Sequence, residues 1–143
     1  MGIRILLAED QGVMREGLHA LLFRQPDFEV VGCVDNGKKA IEKTRTTFPD
    51  VVIMDAHMPE MDGVTATKKI LEDFPQIKII FLSIYRNQAC VNAAMDAGAS
   101  GYVLKDGSIE ELVDAVRRVY GGENNVIPNI SFEMQHPRKF PEK

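Results

Sequence analysis

The chain is poor in cysteine, with two thiols among 143 residues, and it has no tryptophan. Cys33 and Cys90 fall in different predicted elements and match no metal-ligand spacing, which excludes a disulfide framework and a cysteine zinc site. They read as buried free thiols in a reducing compartment. Histidine is nearly as scarce. His19 lies in a helical pattern, His57 follows an apolar run and His136 is near the end, so no histidine metal cluster is expected. Long hydrophobic runs are missing too. The opening "MGIRILLAED" meets two acids directly after a short apolar stretch, which fits neither a signal peptide nor a membrane span and suggests a cytoplasmic protein. Nor is there an excess of positive charge. Lys and Arg number 17 against 21 acids, a formal charge of −4, so neither nucleic acid nor an anionic membrane is an expected direct partner.

What remains is the composition of an ordinary globular domain, 45% apolar and 27% charged. Five apolar stretches read as strands: Ile3–Ala8, Phe28–Val34, Val51–Met54, Ile77–Ser83 and Gly101–Lys105. The first, third and fourth are almost unbroken in aliphatic residues, as strands covered on both faces should be. Helical periodicity fills the gaps. Met14, Leu18, Leu21 and Leu22 form one stripe; Thr67, Ile70, Leu71 and Phe74 another; Cys90, Ala93, Ala94 and Ala97 a third. Helices over 37–47 and 109–120 complete the alternation, and Gly98 is placed to end the fourth helix. Strand–helix alternation repeated five times implies an α/β fold, a doubly wound five-stranded parallel sheet over residues 1–120. Residues 121–143, with Gly121-Gly122, three prolines and no apolar period, read as a linker or tail. The Arg138-Lys139 pair in it reads as solvated charge.

In open parallel sheets, ligands bind at the carboxyl ends of the strands. There the first strand delivers Glu9 and Asp10, the third Asp55, the fourth Ser83 and the fifth Lys105. An acid after a strand often does no more than cap the next helix. Three acids on one rim repel, however, and must hold protons or recruit a cation. All-oxygen ligation suits Mg²⁺, with Mn²⁺ as an alternative, and Mg²⁺ commonly leaves room for a phosphate oxygen. Lys105 offers a second positive charge and Ser83 a hydroxyl donor.

The stretches "ILLAED", "VVIMDAHMPEMDG", "IIFLS" and "GYVLKD", in that order, resemble the receiver domain of two-component response regulators over about residues 3–120. The resemblance implies a flavodoxin-like, CheY-like fold with strand order 2-1-3-4-5. It implies that Asp55 is the phosphoacceptor, loaded by a sensor histidine kinase. Asp10 and Asp55 would bind Mg²⁺ directly, joined by the backbone carbonyl of His57, and Glu9 would act through coordinated water. Lys105 and Ser83 would contact the phosphoryl group, and Ser83 and Tyr102 would be the switch pair. Such a protein is a phosphorylation-activated switch rather than a multiple-turnover enzyme. "GASGYVLKD" and "LHALLFRQPDFEVVG" are most similar to the NarL/FixJ branch, whose members usually continue into a DNA-binding domain. That implies a transcriptional regulator able to form a phosphorylation-dependent homodimer, and leaves residues 121–143 open as the tail of a single-domain regulator or a junction to a DNA-binding domain.

Two positions depart from the common pattern. Asp106 stands where many receivers have proline after the lysine, which leaves the Lys105–Asp106 isomer open. Tyr85 and His57 occupy variable positions beside the site, where they could govern access of water. Phosphatases of the haloacid dehalogenase type, which share an aspartyl-phosphate, carry a second Asp two residues after the nucleophile; His57 stands there instead. A flavodoxin-like mononucleotide site is disfavoured because "EDQGVMRE" has one glycine and two acids facing any phosphate. A receiver that never uses phosphate is disfavoured by the complete set of acids, serine and lysine.

Overall fold

A computed structural model describes residues 2–127. Strands and helices alternate as β1 (Ile3–Ala8), α1 (Gly12–Phe23), β2 (Phe28–Val34), α2 (Gly37–Thr47), β3 (Val51–Asp55), α3 (Gly63–Asp73), β4 (Lys78–Ser83), α4 (Gln88–Asp96), β5 (Gly101–Leu104) and α5 (Ile109–Tyr120). The strands form one parallel sheet in the order β2-β1-β3-β4-β5, as the resemblance implied.

The unbroken apolar strands explain the layering. Side chains alternate across the pleat, so Leu6, Val52, Met54, Ile79, Phe81 and Tyr102 fill one core, against α2, α3 and α4. Ile5, Leu7, Ile53, Ile80, Leu82 and Val103 fill the other, where α5 contributes Leu112, Val116 and Val119. With both faces covered, the buried acids Glu9 and Asp55 lie where strands end.

The helix starts follow local chemistry. Asn36, Asp62, Asn87 and Ser108 each accept a hydrogen bond from a backbone N–H three residues on. The exception is α1, whose N-cap, Gln11, makes no side-chain cap. Asp10 thus does not cap α1 and is left facing the site. Gly98 ends α4 with φ +109°, as expected.

Several expectations need correction. Strand β4 starts at Lys78, and β5 ends at Leu104, one residue before Lys105. On α4 the buried face is Val91, Ala94 and Ala97, with Ala93 in solvent. On α1 only Leu22 is fully buried, while Met14, Leu18 and Leu21 line a shallow exposed cavity of about 200 Å³ with residues of β5 and α5. Both cysteines are free but only half-buried. No described peptide bond is cis, so Lys105–Asp106 is trans. After α5 the chain does not leave the fold at once, because Val126 is buried beside β5. His136 and Arg138-Lys139 lie outside the described residues. No described helix is long and apolar enough to cross a membrane.

Gly63 fixes how closely α3 approaches the end of β3. A Cβ there would lie 2.5 Å from the carbonyl oxygen of Asp55, and the Gly63 N–H donates to Ala56 O at 3.1 Å. Backbone cannot give way as a flexible side chain can. Gly63→Ala should therefore cost about 2 kcal/mol in urea unfolding, by overpacking.

Candidate functional site

Parallel pairing sets the depth of each functional residue. Asp55 lies opposite Leu82 and Ser83 opposite Leu104, so Asp55, Ser83 and Lys105 come off three neighbouring strands at nearly one level. Glu9 and Asp10 follow β1 on the other side of β3.

Glu9 and Asp55 are almost wholly buried, whereas Asp10 is exposed. Carboxylate oxygens of the three lie within 4.8 Å of one another. Lys105 Nζ sits 3.2 Å from Asp55 Oδ2 and 3.1 Å from Glu9 Oε1, its side chain only 11% exposed. It donates to Asp55 Oδ2 and to Glu9 Oε2; Glu9 Oε1, though close to the ammonium, accepts no hydrogen bond. One ammonium thus faces three acids.

The charges respond as this crowding demands. Burial, reinforced by Glu9, raises Asp55 above the usual carboxylate range, against the pull of Asp10, the His57 N–H and Lys105. Burial also raises Asp10, and its interaction with Asp55 adds to the effect, against the pull of Lys105. Burial alone would lower Lys105, but Asp55 and Glu9 outweigh it and the ammonium is held more firmly than usual. Three clustered acids with one lysine among them, together with a buried Glu9 oxygen lacking a hydrogen bond, fit a hard divalent cation.

Around this centre stand the other expected residues. His57 donates its N–H to Asp55 Oδ1 at 3.2 Å, and its ring packs edge-on against Tyr85, centroids 5.1 Å apart. Ser83, buried, accepts from the Tyr85 N–H at 3.0 Å. Tyr102 points inward, 1% exposed, and donates its hydroxyl to Tyr85 O at 2.8 Å. Burial raises the phenol above its ordinary value, and the Ser83 hydroxyl works the other way. Asp106 pairs with Arg86 at 3.0 Å, tying the loop after β4 to the loop after β5.

Sequence reasoning passed over Arg15. Its guanidinium donates to the carbonyl oxygen of Glu9 at 2.8 Å, and the same nitrogen lies 3.4 Å from that of Asp10. The Gln11 N–H also donates to Glu9 Oε2 at 3.1 Å. An arginine one turn into a helix ordinarily reads as solvated charge; here it braces the backbone that aims two acids. Arg15→Ala should weaken Mg²⁺ binding about tenfold in calorimetric titration, typical for outer-shell supports. Arg15→Lys should recover only part of it. The sign is diagnostic, because loss of a like charge with geometry intact would tighten Mg²⁺ instead.

Residues 5–117 match the family model described as the response regulator receiver domain. Among curated proteins, the response regulator protein VraR of Staphylococcus epidermidis is 39% identical over 139 residues, 97% of this chain and 66% of VraR. The transcriptional regulatory protein LnrK of Bacillus subtilis is 37% identical over 132 residues, 92% of this chain and 60% of LnrK. The chain thus spans less than two thirds of the length of either relative. Among solved structures, a LuxR-family two-component response regulator from Aurantimonas superposes with a TM-score of 0.89 at 32% identity, covering 94% of this chain and 96% of that one.

Proposed function

This chain belongs to the response regulator receiver family, and from that membership we propose that Asp55 accepts a phosphoryl group from a phosphohistidine of a sensor kinase, switching the protein's interactions. The observation that carries the reading is the buried Asp55 carboxylate between Lys105 and the Glu9–Asp10 pair. In the reaction an Asp55 oxygen attacks phosphorus. The O–P bond of an acyl phosphate forms as the donor's P–N bond breaks, and the imidazole leaves. Asp10, Asp55 and the His57 carbonyl, with Glu9 through water, would hold Mg²⁺, which would supply positive charge against the phosphoryl oxygens. Mn²⁺ fits the same oxygen donors.

Lys105 releases Asp55 and takes a phosphoryl oxygen, which its flexible stem allows. Ser83 turns its hydroxyl toward another oxygen, a charge-assisted bond stronger than the one it now accepts from Tyr85. Tyr102, bonded to Tyr85, senses that turn. The His57–Tyr85 ring pair restricts water on the exposed side and so slows hydrolysis of the acyl phosphate. The protein is a switch that loads once and unloads slowly, not a multiple-turnover enzyme. It works in the cytoplasm within a two-component transcriptional regulator, and its loaded form favours a homodimer. In that reading DNA is bound by a further domain and not by this chain.

Acetyl phosphate with Mg²⁺ should add one phosphoryl group per chain, seen by intact mass. Sustained turnover of a chromogenic phosphate ester would instead indicate a phosphatase, and neither outcome would leave a module that does not use phosphate.

A further inference from the structure

The residues after α5 close the outer edge of the sheet. The Val126 N–H donates to Ser100 O at 3.0 Å, and Val126 O accepts from the Tyr102 N–H at 3.0 Å, a parallel bridge centred on Gly101. Val126 packs into the core beneath α5, whereas Ile127 packs against the opposite core, the one holding Tyr102. Neighbours that point to opposite faces are typical of extended chain, so this segment extends the sheet edge by one isolated parallel bridge. Gly101 permits the approach, since a Cβ there would meet Val126 O at 3.1 Å.

The peptide that anchors Val126 is therefore that of Tyr102, which is also bonded through its hydroxyl to the loop following Ser83. Contacts run without a break from Ser83 Oγ to the Tyr85 N–H, from Tyr85 O to the Tyr102 hydroxyl, and from the Tyr102 N–H to Val126. This route leads from Ser83 to the segment that follows α5.

We propose that Val126–Ile127 is a strap which reports the phosphoryl state of Asp55 to whatever follows residue 127. The proposal rests on the phosphoryl-switch reading above. A phosphoryl group adds charge-assisted bonds at Ser83 and Lys105, and these order the loop carrying Tyr85. Tyr102 is then held by a stiffer partner, and so is the strap bonded to it. Coupling of this kind is reciprocal: whatever factor loading adds to strap closure, strap closure adds to the affinity for the phosphoryl group.

The test is amide hydrogen exchange on the full chain, with and without beryllofluoride and Mg²⁺. Exchange at Val126 should slow at least tenfold on loading, together with that at Tyr85. Gly101→Ala, which pushes on Val126 O, should weaken beryllofluoride binding while circular dichroism shows the sheet intact. If Tyr85 slows and Val126 does not, the strap is overturned and the switch stands. If Gly101→Ala loosens Val126 yet binds beryllofluoride as tightly as the parent, the coupling is overturned. If no amide near Asp55 responds, the switch reading falls, and the strap with it.

Discussion

Asp55→Asn should lower phosphoryl incorporation from acetyl phosphate by at least about a thousandfold, since an amide oxygen is a poor nucleophile and removal of a nucleophile costs factors of this order or more. Intact mass after timed exposure to donor and Mg²⁺ measures it directly. The variant should also be no less stable than the parent at neutral pH. Burial raises the native pKa of Asp55 above its unfolded value, so the ionised form is disfavoured in the folded state. A group of this kind opposes folding increasingly as pH rises past the ordinary carboxylate range. Asn has nearly the same shape and no charge to bury. Lost chemistry with retained stability separates a missing nucleophile from a damaged fold, which unfolding by urea would reveal.

Lys105→Met has the opposite balance. It leaves Asp55 and Glu9 buried with no ammonium between them, and breaking a buried pair by removing one partner costs about 3 kcal/mol or more. The native pKa of Lys105 is raised, so its contribution is complete below the unfolded lysine pKa, neutral pH included, and is lost only as pH rises through the native value. At neutral pH the variant therefore forfeits all of it. The acids then respond. Without Lys105 the Asp55 carboxyl rises further, so acidification toward the carboxylate range should recover more stability in the variant than in the parent. Added Mg²⁺ should recover stability as well, because it replaces the lost positive charge. Phosphoryl loading should remain slow even in saturating Mg²⁺, since Lys105 also contacts the transferred group in this reading. Thermal melts at two pH values, with and without Mg²⁺, give the four numbers needed. Equal midpoints for variant and parent in metal-free neutral buffer would refute the assignment.

The parts of this molecule that show in the sequence are those whose reason for existing is local. Strands β1, β3 and β4 announce themselves because burial on both faces leaves no polar alternative, and the acids after β1 and β3 stand out because they end such runs. Where burial is one-sided, the pattern misleads. On α4, Val91 and Ala93 both suit a helical stripe drawn through small residues, and only docking against the sheet selects Val91. On α1, a well-spaced stripe proves to be mostly half-exposed, since the sheet alone does not cover it. Arg15 is invisible for another reason: its partners are carbonyl oxygens, which every residue has. Val126 is hidden in a polar, glycine- and asparagine-rich stretch, and its role depends on an open edge more than twenty residues earlier. Among the candidate site residues, the carboxylates and Lys105 are drawn together as their charges demand. That the Ser83 hydroxyl now engages the Tyr85 amide is a fact of loop geometry and carries no sequence signal.

The aspartate that follows Lys105, where related chains favour a ring-locked residue, makes this molecule answerable to dissolved ions. Its bond to Arg86 is a side-chain tie between the two loops that bear Ser83 and Lys105, and both partners stand in solvent, 67% and 40% exposed. Pairs so placed contribute about 0.2–1 kcal/mol and fade as ionic strength shortens the Debye length, about 8 Å at 0.15 M and 3 Å at 1 M. The grip of this pair on the two loops should therefore loosen as ionic strength rises.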